Sequence, residues 1–277
     1  MISFFEKEPL ISVITPVYNG ADYLDELILS VLQQDYPHIE HIIIDDGSDD
    51  HGATVAILKK YPHLRWWSSE NKGQYATLNE GLASANGDVV VIISADDKFV
   101  SPSTFSEVIK FWQTNPECDC IYGRTLLMDS NGKVDSAALY PILRVGSLLP
   151  RLIRYSPNLV QHCSLFVANA LLIDKKIWFD TSFSYAGDWD WIIRLAQASK
   201  FAYLNKSLSV YREHPFQVSQ QAGRKKMFIE SQRILQHYKA SYCLYSLFVF
   251  LQRVIKALWV LRRDGFFSLL TKIKNWY

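Results

Sequence analysis

Residues 11–50 read ISVITPVYNGADYLDELILSVLQQDYPHIEHIIIDDGSDD, and this stretch decides the architecture. Ile11–Thr15 is dominated by β-branched residues, the composition of a buried strand. Leu24, Leu27, Ile28, Val31 and Leu32 then recur at helical spacing within Ala21–Gln34. His41–Asp46 returns to a strand pattern, an isoleucine run that ends on two carboxylates.

The alternation continues outward. Gly52–Tyr61 reads as a helix stopped by Pro62, and Leu64–Ser68 as a third strand. Gln74–Ala85 is a helix ended by Asn86-Gly87, and Val89–Ser94 a fourth strand. Ser101-Pro102 offers an N-cap and a first-turn proline for a helix reaching Thr114. Apolar strands alternating with helices imply an α/β fold, its mostly parallel central sheet flanked by helices on both faces. In such sheets ligands sit beyond the carboxyl ends of the strands. Pro16-Val17-Tyr18-Asn19, Asp45-Asp46-Gly47-Ser48 and Asp96-Asp97 follow the first, second and fourth strands. The second half is less regular. Cys118–Tyr122, Ser164–Ala168 and Phe201–Leu204 are strand candidates, Trp189–Ala198 is a short helix, and 124–156 is too rich in turn residues to assign.

The chain has 277 residues, 49% of them hydrophobic and 21% charged, which excludes wholesale disorder. Lys plus Arg is 29 and Asp plus Glu is 28, so the chain as a whole is not built to coat nucleic acid. That balance hides an asymmetry. From Arg224 to Tyr277 eleven basic residues meet only Glu230 and Asp264, which leaves this segment at +9 and residues 1–223 at −8. We therefore expect a catalytic domain over 1–223 and a basic tail over 224–277. Cys118, Cys120, Cys163 and Cys243 offer no CxxC pair, and reduced thiols in a cytosolic setting are expected. The segment MISFFEKEPL lacks the basic start and apolar run of a signal peptide, and the uncharged run Tyr155–Ile173 is too polar for a membrane span.

Asp45, Asp46, Asp96 and Asp97 would share one sheet edge and repel one another without a compensating charge. A hard divalent cation, magnesium or manganese, suits such oxygen ligands. The bland alternative, that an aspartate only caps a helix or shapes a turn, is favoured for Asp49 and Asp50. ITPVYNG stands where a GxGxxG loop would be, and the chain has neither GxxxxGK[ST] nor GxSxG. P-loop NTPases and ordinary nicotinamide or flavin Rossmann enzymes are thereby demoted, and no hydrolase nucleophile elbow is present.

The run from Ile11 to Asp50 resembles the amino-terminal signature of family 2 glycosyltransferases of the GT-A fold. SENKGQYATLNEGLASANGD with VVVIISADD, then AGDWDWIIRLA and YREHPFQVS, resemble the later blocks of that family in the right order, covering roughly residues 10 to 220. The resemblance implies a nucleotide-sugar donor, a divalent metal and inversion at the anomeric carbon. It implies that Pro16, Val17 and Tyr18 wrap the nucleoside and that Asp46, beside Asp45, reads the base edge. A carboxylate can accept the imide N–H of uracil or thymine, so a UDP- or dTDP-type donor is expected. Lys72, Gly73 and Gln74 would lie near the diphosphate. Asp96 and Asp97 match the acidic metal and ribose pair, with Ser94 where the family often has Asp or Asn. Asp188 matches the catalytic base, and Trp189 and Trp191 beside it would raise its pKa. Asp190 is the competing candidate for the base; with Asp188 in that role it would face the other way, bond Arg194 at i+4 or stand near the acceptor. His214 resembles a late residue that reaches the metal or diphosphate, and His162 one near the active site. Trp178, Trp189 and Trp191 are candidates to stack on an acceptor sugar or to fill the core.

Apolar residues at 244, 247, 248, 251, 254, 255, 258 and 261 form a helical stripe in the basic tail. Basic amphipathic helices with aromatic residues bind anionic leaflets. The expectation is a cytoplasmic enzyme held at the inner face of the membrane, acting on a saccharide or lipid-linked acceptor in envelope polysaccharide synthesis. A helix that closes the core or pairs with a second subunit is the alternative for the tail. A catalytically silent sugar-nucleotide or saccharide-binding module on this fold and a nucleotidyltransferase are the alternatives for the function.

Overall fold

The computed structural model describes residues 8–138, 148–156, 159–215, 217 and 221–251, with the single residues 254, 257, 258 and 261. The first half alternates as its apolar runs require: β1 (Ile11–Val17), α1 (Leu24–Leu32), β2 (Ile39–Asp45), α2 (Ala53–Leu58), β3 (Arg65–Ser68), α3 (Gln74–Ser84) and β4 (Val89–Ile92). There follow β5 (Lys98–Phe99), α4 (Thr104–Gln113), β6 (Cys120–Asp129), β7 (Val134–Ala138), α5 (Leu149–Leu152), β8 (Leu165–Ala168), α6 (Asn169–Lys175), α7 (Gly187–Ala198), β9 (Phe201–Glu213) and α8 (Gln221–His237).

Among the described residues one sheet of nine strands runs β3-β2-β1-β4-β8-β6-β9-β5, with β7 beside β6. β3, β2, β1 and β4 are parallel. β8 is antiparallel to both β4 and β6, and β6 pairs parallel with β9. Strand alternation explains why the early strands are apolar throughout. Ile14, Ile42 and Ile44 enter the core shared with α3 and α7, whereas Ile11, Val13 and Ile43 enter the core shared with α1 and α4. Each buried isoleucine is worth about 1.5–3 kcal/mol, so both faces select for the run.

Three local expectations change. The helix expected from Ser101-Pro102 begins at Thr104, because the Ser101 hydroxyl accepts the Ser103 N–H at 3.2 Å and holds a turn ahead of it. The short candidate at Phe201–Leu204 extends to Glu213, since β9 pairs with both β6 and β5. The break expected between 223 and 224 falls inside α8, which buries Ile234 and Leu235 in the core of the α/β body. A further helical stretch over 242–251 sends Tyr245 against Trp189 and Phe248 against Tyr155, and leaves Leu244, Leu247, Phe250 and Leu251 exposed. No helix of the described residues is long and apolar enough to cross a membrane. The four cysteines are unpaired.

Candidate active site

The parallel register sets Val17 level with Asp45, so the ends of β1 and β2 form one ledge. Tyr18 stands half exposed on it, its hydroxyl donating to Asp49 Oδ1 at 3.2 Å. Asn19 adopts a left-handed φ of 51° and clasps Asp49, its Nδ2 donating to Oδ1 at 2.6 Å. Asp49 and Asp50 are turn builders, as expected; Asp50 Oδ2 accepts both the N–H and hydroxyl of Thr54.

Asp45 is buried and accepts the Ser48 N–H at 3.1 Å. Asp46 is also buried, and its two oxygens accept the N–H groups of Lys72 at 2.9 Å and Gly73 at 3.0 Å. Hydrogen bonds to a charged group contribute about 1.5–3 kcal/mol each, so Asp46 ties the start of α3 to the ledge. Gly73 has φ +87°, a conformation strained for any residue with a Cβ. Lys72 turns its amine to Glu80, and Gln74 Nε2 donates across to the Ser184 carbonyl at 2.9 Å.

Beyond β4 the chain brings Ser94, Asp96 and Asp97 to the same edge, and β9 runs past β6 to carry Arg212 and His214 over them. His214 Nε2 lies 2.9 Å from Asp96 Oδ2. Asp97 is only 1% exposed; one oxygen accepts the Arg212 N–H at 3.0 Å and the other has no partner. Burial, and then the charge of Asp96, push its carboxyl well above the usual carboxylate range. Of the expected trio, Asp96 and His214 stand together, while Asp97 is turned inward by its bond to the β9 backbone. Among the described residues no group of three or more His, Cys, Asp or Glu gathers to hold a metal. Asp96 and His214 together offer an oxygen and a nitrogen donor at a partly open edge, which suits manganese or magnesium completed by phosphate oxygens. Arg212 is buried beneath them; its Nε donates to the Asp96 carbonyl at 2.9 Å and its guanidinium pairs with Glu26 on α1.

Asp188 opens α7 with its side chain 37% exposed. His162, on a single 3-10 turn before β8, puts Nδ1 3.4 Å from Asp188 Oδ2 and Nε2 3.4 Å from Ser94 Oγ. His162 thus stands between Ser94 and Asp188, its buried Nδ1 near the carboxylate without a hydrogen-bond partner. Trp189 faces the opposite way, buried, with its indole N–H on the Ile153 carbonyl at 2.8 Å. Trp191 is buried too and donates to the Ile177 carbonyl. Of the two roles expected for Trp189, the structure shows the core one: helix geometry turns 188 outward and 189 into the core. Asp190 is likewise unavailable to an acceptor. It is buried, accepts Arg194 Nε at 2.8 Å as the i+4 spacing predicts, and accepts the Tyr238 hydroxyl at 2.7 Å.

Sequence reasoning missed Tyr75, Arg212, Glu26 and Glu230 as supports of this edge, and Ser94 as a partner of His162. A cleft of about 530 Å³ at the start of β6 and β9 contains none of the expected residues.

Of the aspartates expected in the site, Asp45, Asp46, Asp96, Asp97, Asp188 and Asp190, only Asp96 and Asp188 escape burial, each beside a histidine. The mostly parallel sheet flanked by helices, with acidic groups beyond its strand ends, is of the GT-A type. The model of glycosyl transferase family 2 matches residues 12–170, and the chain belongs to that family. A protein of Rickettsia typhi (strain Wilmington) named an uncharacterized glycosyltransferase is 32% identical over 225 residues, covering 77% of this chain and 67% of that protein. One of Rickettsia bellii with the same name is 32% identical over 224 residues, 78% of this chain. The chain spans only 31% of the length of that relative. S. aureus TarS in complex with UDP-GlcNAc shares the fold, with a TM-score of 0.64 and 23% identity over 82% of this chain and 66% of that one.

Proposed function

We propose that this chain is an inverting glycosyltransferase that moves a sugar from a UDP- or dTDP-type donor to an acceptor hydroxyl, with Asp188 as base. The observation that carries this reading is the division among the carboxylates. Asp45, Asp46, Asp97 and Asp190 are buried with structural partners, whereas Asp188 is open beside His162 and Asp96 is open beside His214.

In the proposed reaction Asp188 takes the acceptor proton as that oxygen attacks the anomeric carbon. The bond to the diphosphate breaks on the opposite face, and its electron pair leaves with the diphosphate. His162, 3.4 Å from the Asp188 carboxylate, neighbours the acceptor. Pro16, Val17 and Tyr18 wrap the nucleoside. Asp45 and Asp46 are the base-reading pair, with the free lone pairs of Asp46 as acceptors for an imide N–H. Lys72, Gly73 and Gln74, at the N-terminus of α3, receive the diphosphate, since a helix start favours negative charge. Asp96 and His214 would hold a divalent ion, manganese or magnesium, whose chemistry is to offset charge on the leaving diphosphate. The UDP-GlcNAc bound by TarS supports a nucleotide-sugar donor of this class.

A saccharide or lipid-linked acceptor in cell-envelope polysaccharide synthesis suits a protein with a +9 segment over 224–277 and exposed apolar residues at 244, 247, 250 and 251. We place it in the cytoplasm at the inner membrane face through that segment. A silent binding module is the second reading, and the open Asp188 beside His162 speaks against it.

The test is a thermal-shift screen with UDP, dTDP, GDP and CMP, each with and without manganese. A ligand bound only by the folded state raises its stability. A manganese-dependent rise with UDP or dTDP is expected; no rise with any nucleotide contradicts the proposal.

A further inference from the structure

Four consecutive backbone N–H groups lead into the turn that carries Asp188, and a distant side chain takes each one. The Ser184 N–H donates to Glu230 Oε1, and those of Tyr185 and Ala186 donate to Oε2, all at 2.8 Å. The Gly187 N–H donates to the Tyr75 hydroxyl at 2.9 Å. Glu230 comes from α8, beyond the part of the chain that the family match covers. Two further α8 contacts grip the same region: the Arg233 guanidinium lies 4.2 Å from the Phe183 ring centroid, and its NH1 donates to the Ser182 carbonyl. Just past α8, the Tyr238 hydroxyl donates to Asp190.

Converging backbone N–H groups form an anion-binding concavity, and here the anion is a side chain of the same protein. Charge-assisted bonds of this kind are short and roughly twice as strong as neutral ones. Fixing the four N–H groups fixes the peptide planes of 184–187, and those planes set where the Cα of Asp188 stands. An apolar contact would serve if α8 only covered the sheet. A carboxylate aimed at three N–H groups just before the base does something narrower.

We propose that Glu230 is a positioning residue for the catalytic base, so that α8 belongs to the catalytic machinery. This rests on the reading of Asp188 as base. A glutamine at 230 keeps the size but has one acceptor oxygen. Its amide would set donor against donor in the nest, freeing the 184–186 segment.

The experiment compares the full-length E230Q, E230D and D188N proteins with wild type. Three quantities are read: hydrogen exchange over 181–188, the affinity for UDP with manganese, and steady-state UDP release from UDP-GlcNAc or from the donor whose nucleotide gives the largest thermal shift. For E230Q, exchange at 184–186 speeds up, kcat falls by about ten- to a hundredfold, and the donor KM and UDP affinity stay within about twofold. E230D draws the carboxylate back by one methylene and gives a smaller loss of the same kind; it replaces E230Q if that variant does not fold. Unchanged kcat in E230Q, or a fall matched by an equal loss of UDP affinity, overturns the proposal. D188N distinguishes the two readings. Full turnover in D188N sinks the base and the proposal with it, whereas dead D188N beside active E230Q sinks the positioning role alone.

Discussion

Gly187→Ala is the sharpest small perturbation available at this edge. A Cβ built on Gly187 falls 2.7, 2.9 and 3.0 Å from three atoms of the Tyr75 ring. Tyr75 has little room to retreat: it is buried, and its ring stacks on Phe179 with centroids 5.4 Å apart. Its hydroxyl also accepts the Gly187 N–H, so a shifted ring loses that bond. Overpacking of this kind costs about 1–3 kcal/mol. Alanine recovers some of that through helix propensity, at most about 1 kcal/mol because position 187 opens α7. The net expectation is a loss of about 1–2 kcal/mol, or roughly 2–8 °C in Tm for a chain of this size. Because the neighbouring residue is Asp188, kcat falls by about tenfold or more while the Tm change stays modest. Scanning calorimetry and a UDP-release assay read both. A G187A protein with unchanged or higher Tm and full turnover would refute the argument that Tyr75 is wedged beneath the base-bearing turn.

Other expectations follow from the same geometry. Asp96→Asn weakens the manganese-dependent stabilisation by UDP, whereas Asp97→Asn preserves it; the reverse pattern in a thermal-shift titration would restore Asp97 as a ligand. His41 is fully buried, and burial, then the charge of His63, depress its pKa from 6.5 to about 3. The unfolded state therefore binds the proton first, and the stability contributed by neutral His41 is present above pH 6.5 and lost as pH falls toward 3. His41→Gln should flatten that acid limb by up to about 1.4 kcal/mol per pH unit, and unfolding curves between pH 6.5 and 4.5 that overlay wild type would contradict it. Replacing Leu247 and Phe250 by glutamate removes binding to vesicles rich in phosphatidylglycerol while leaving UDP binding intact; retained sedimentation with vesicles would count against a lipid-facing tail.

The first half was legible because burial on both sheet faces leaves a strong imprint. Ile42, Ile43 and Ile44 alternate between two cores and so must all be apolar. The acidic residues at the strand ends were legible from the same rule of parallel sheets. The second half was not, because β6 and β9 carry polar residues such as Arg124, Thr125, Ser207 and Ser209, whose pairing depends on partners far away in sequence. Thr125 and Ser209 are buried together with Ser164 as a hydroxyl cluster, which no apolar pattern announces. Which carboxylates stay open was equally hidden, since Asp96 and Asp97 are adjacent and only the register of β9 turns one inward. Glu230 read as one acid in a basic helix and showed its role only once α8 was laid against the 184–186 segment.

The most direct test of the account is Asp188→Asn assayed for donor binding and turnover together. The substitution keeps the size of the side chain, leaves the Asp96 and His214 pair untouched and removes the proton acceptor. UDP affinity in manganese should stay within about twofold of wild type while turnover falls at least about a hundredfold, the range of a lost general base. Turnover near the wild-type rate with binding intact would contradict it.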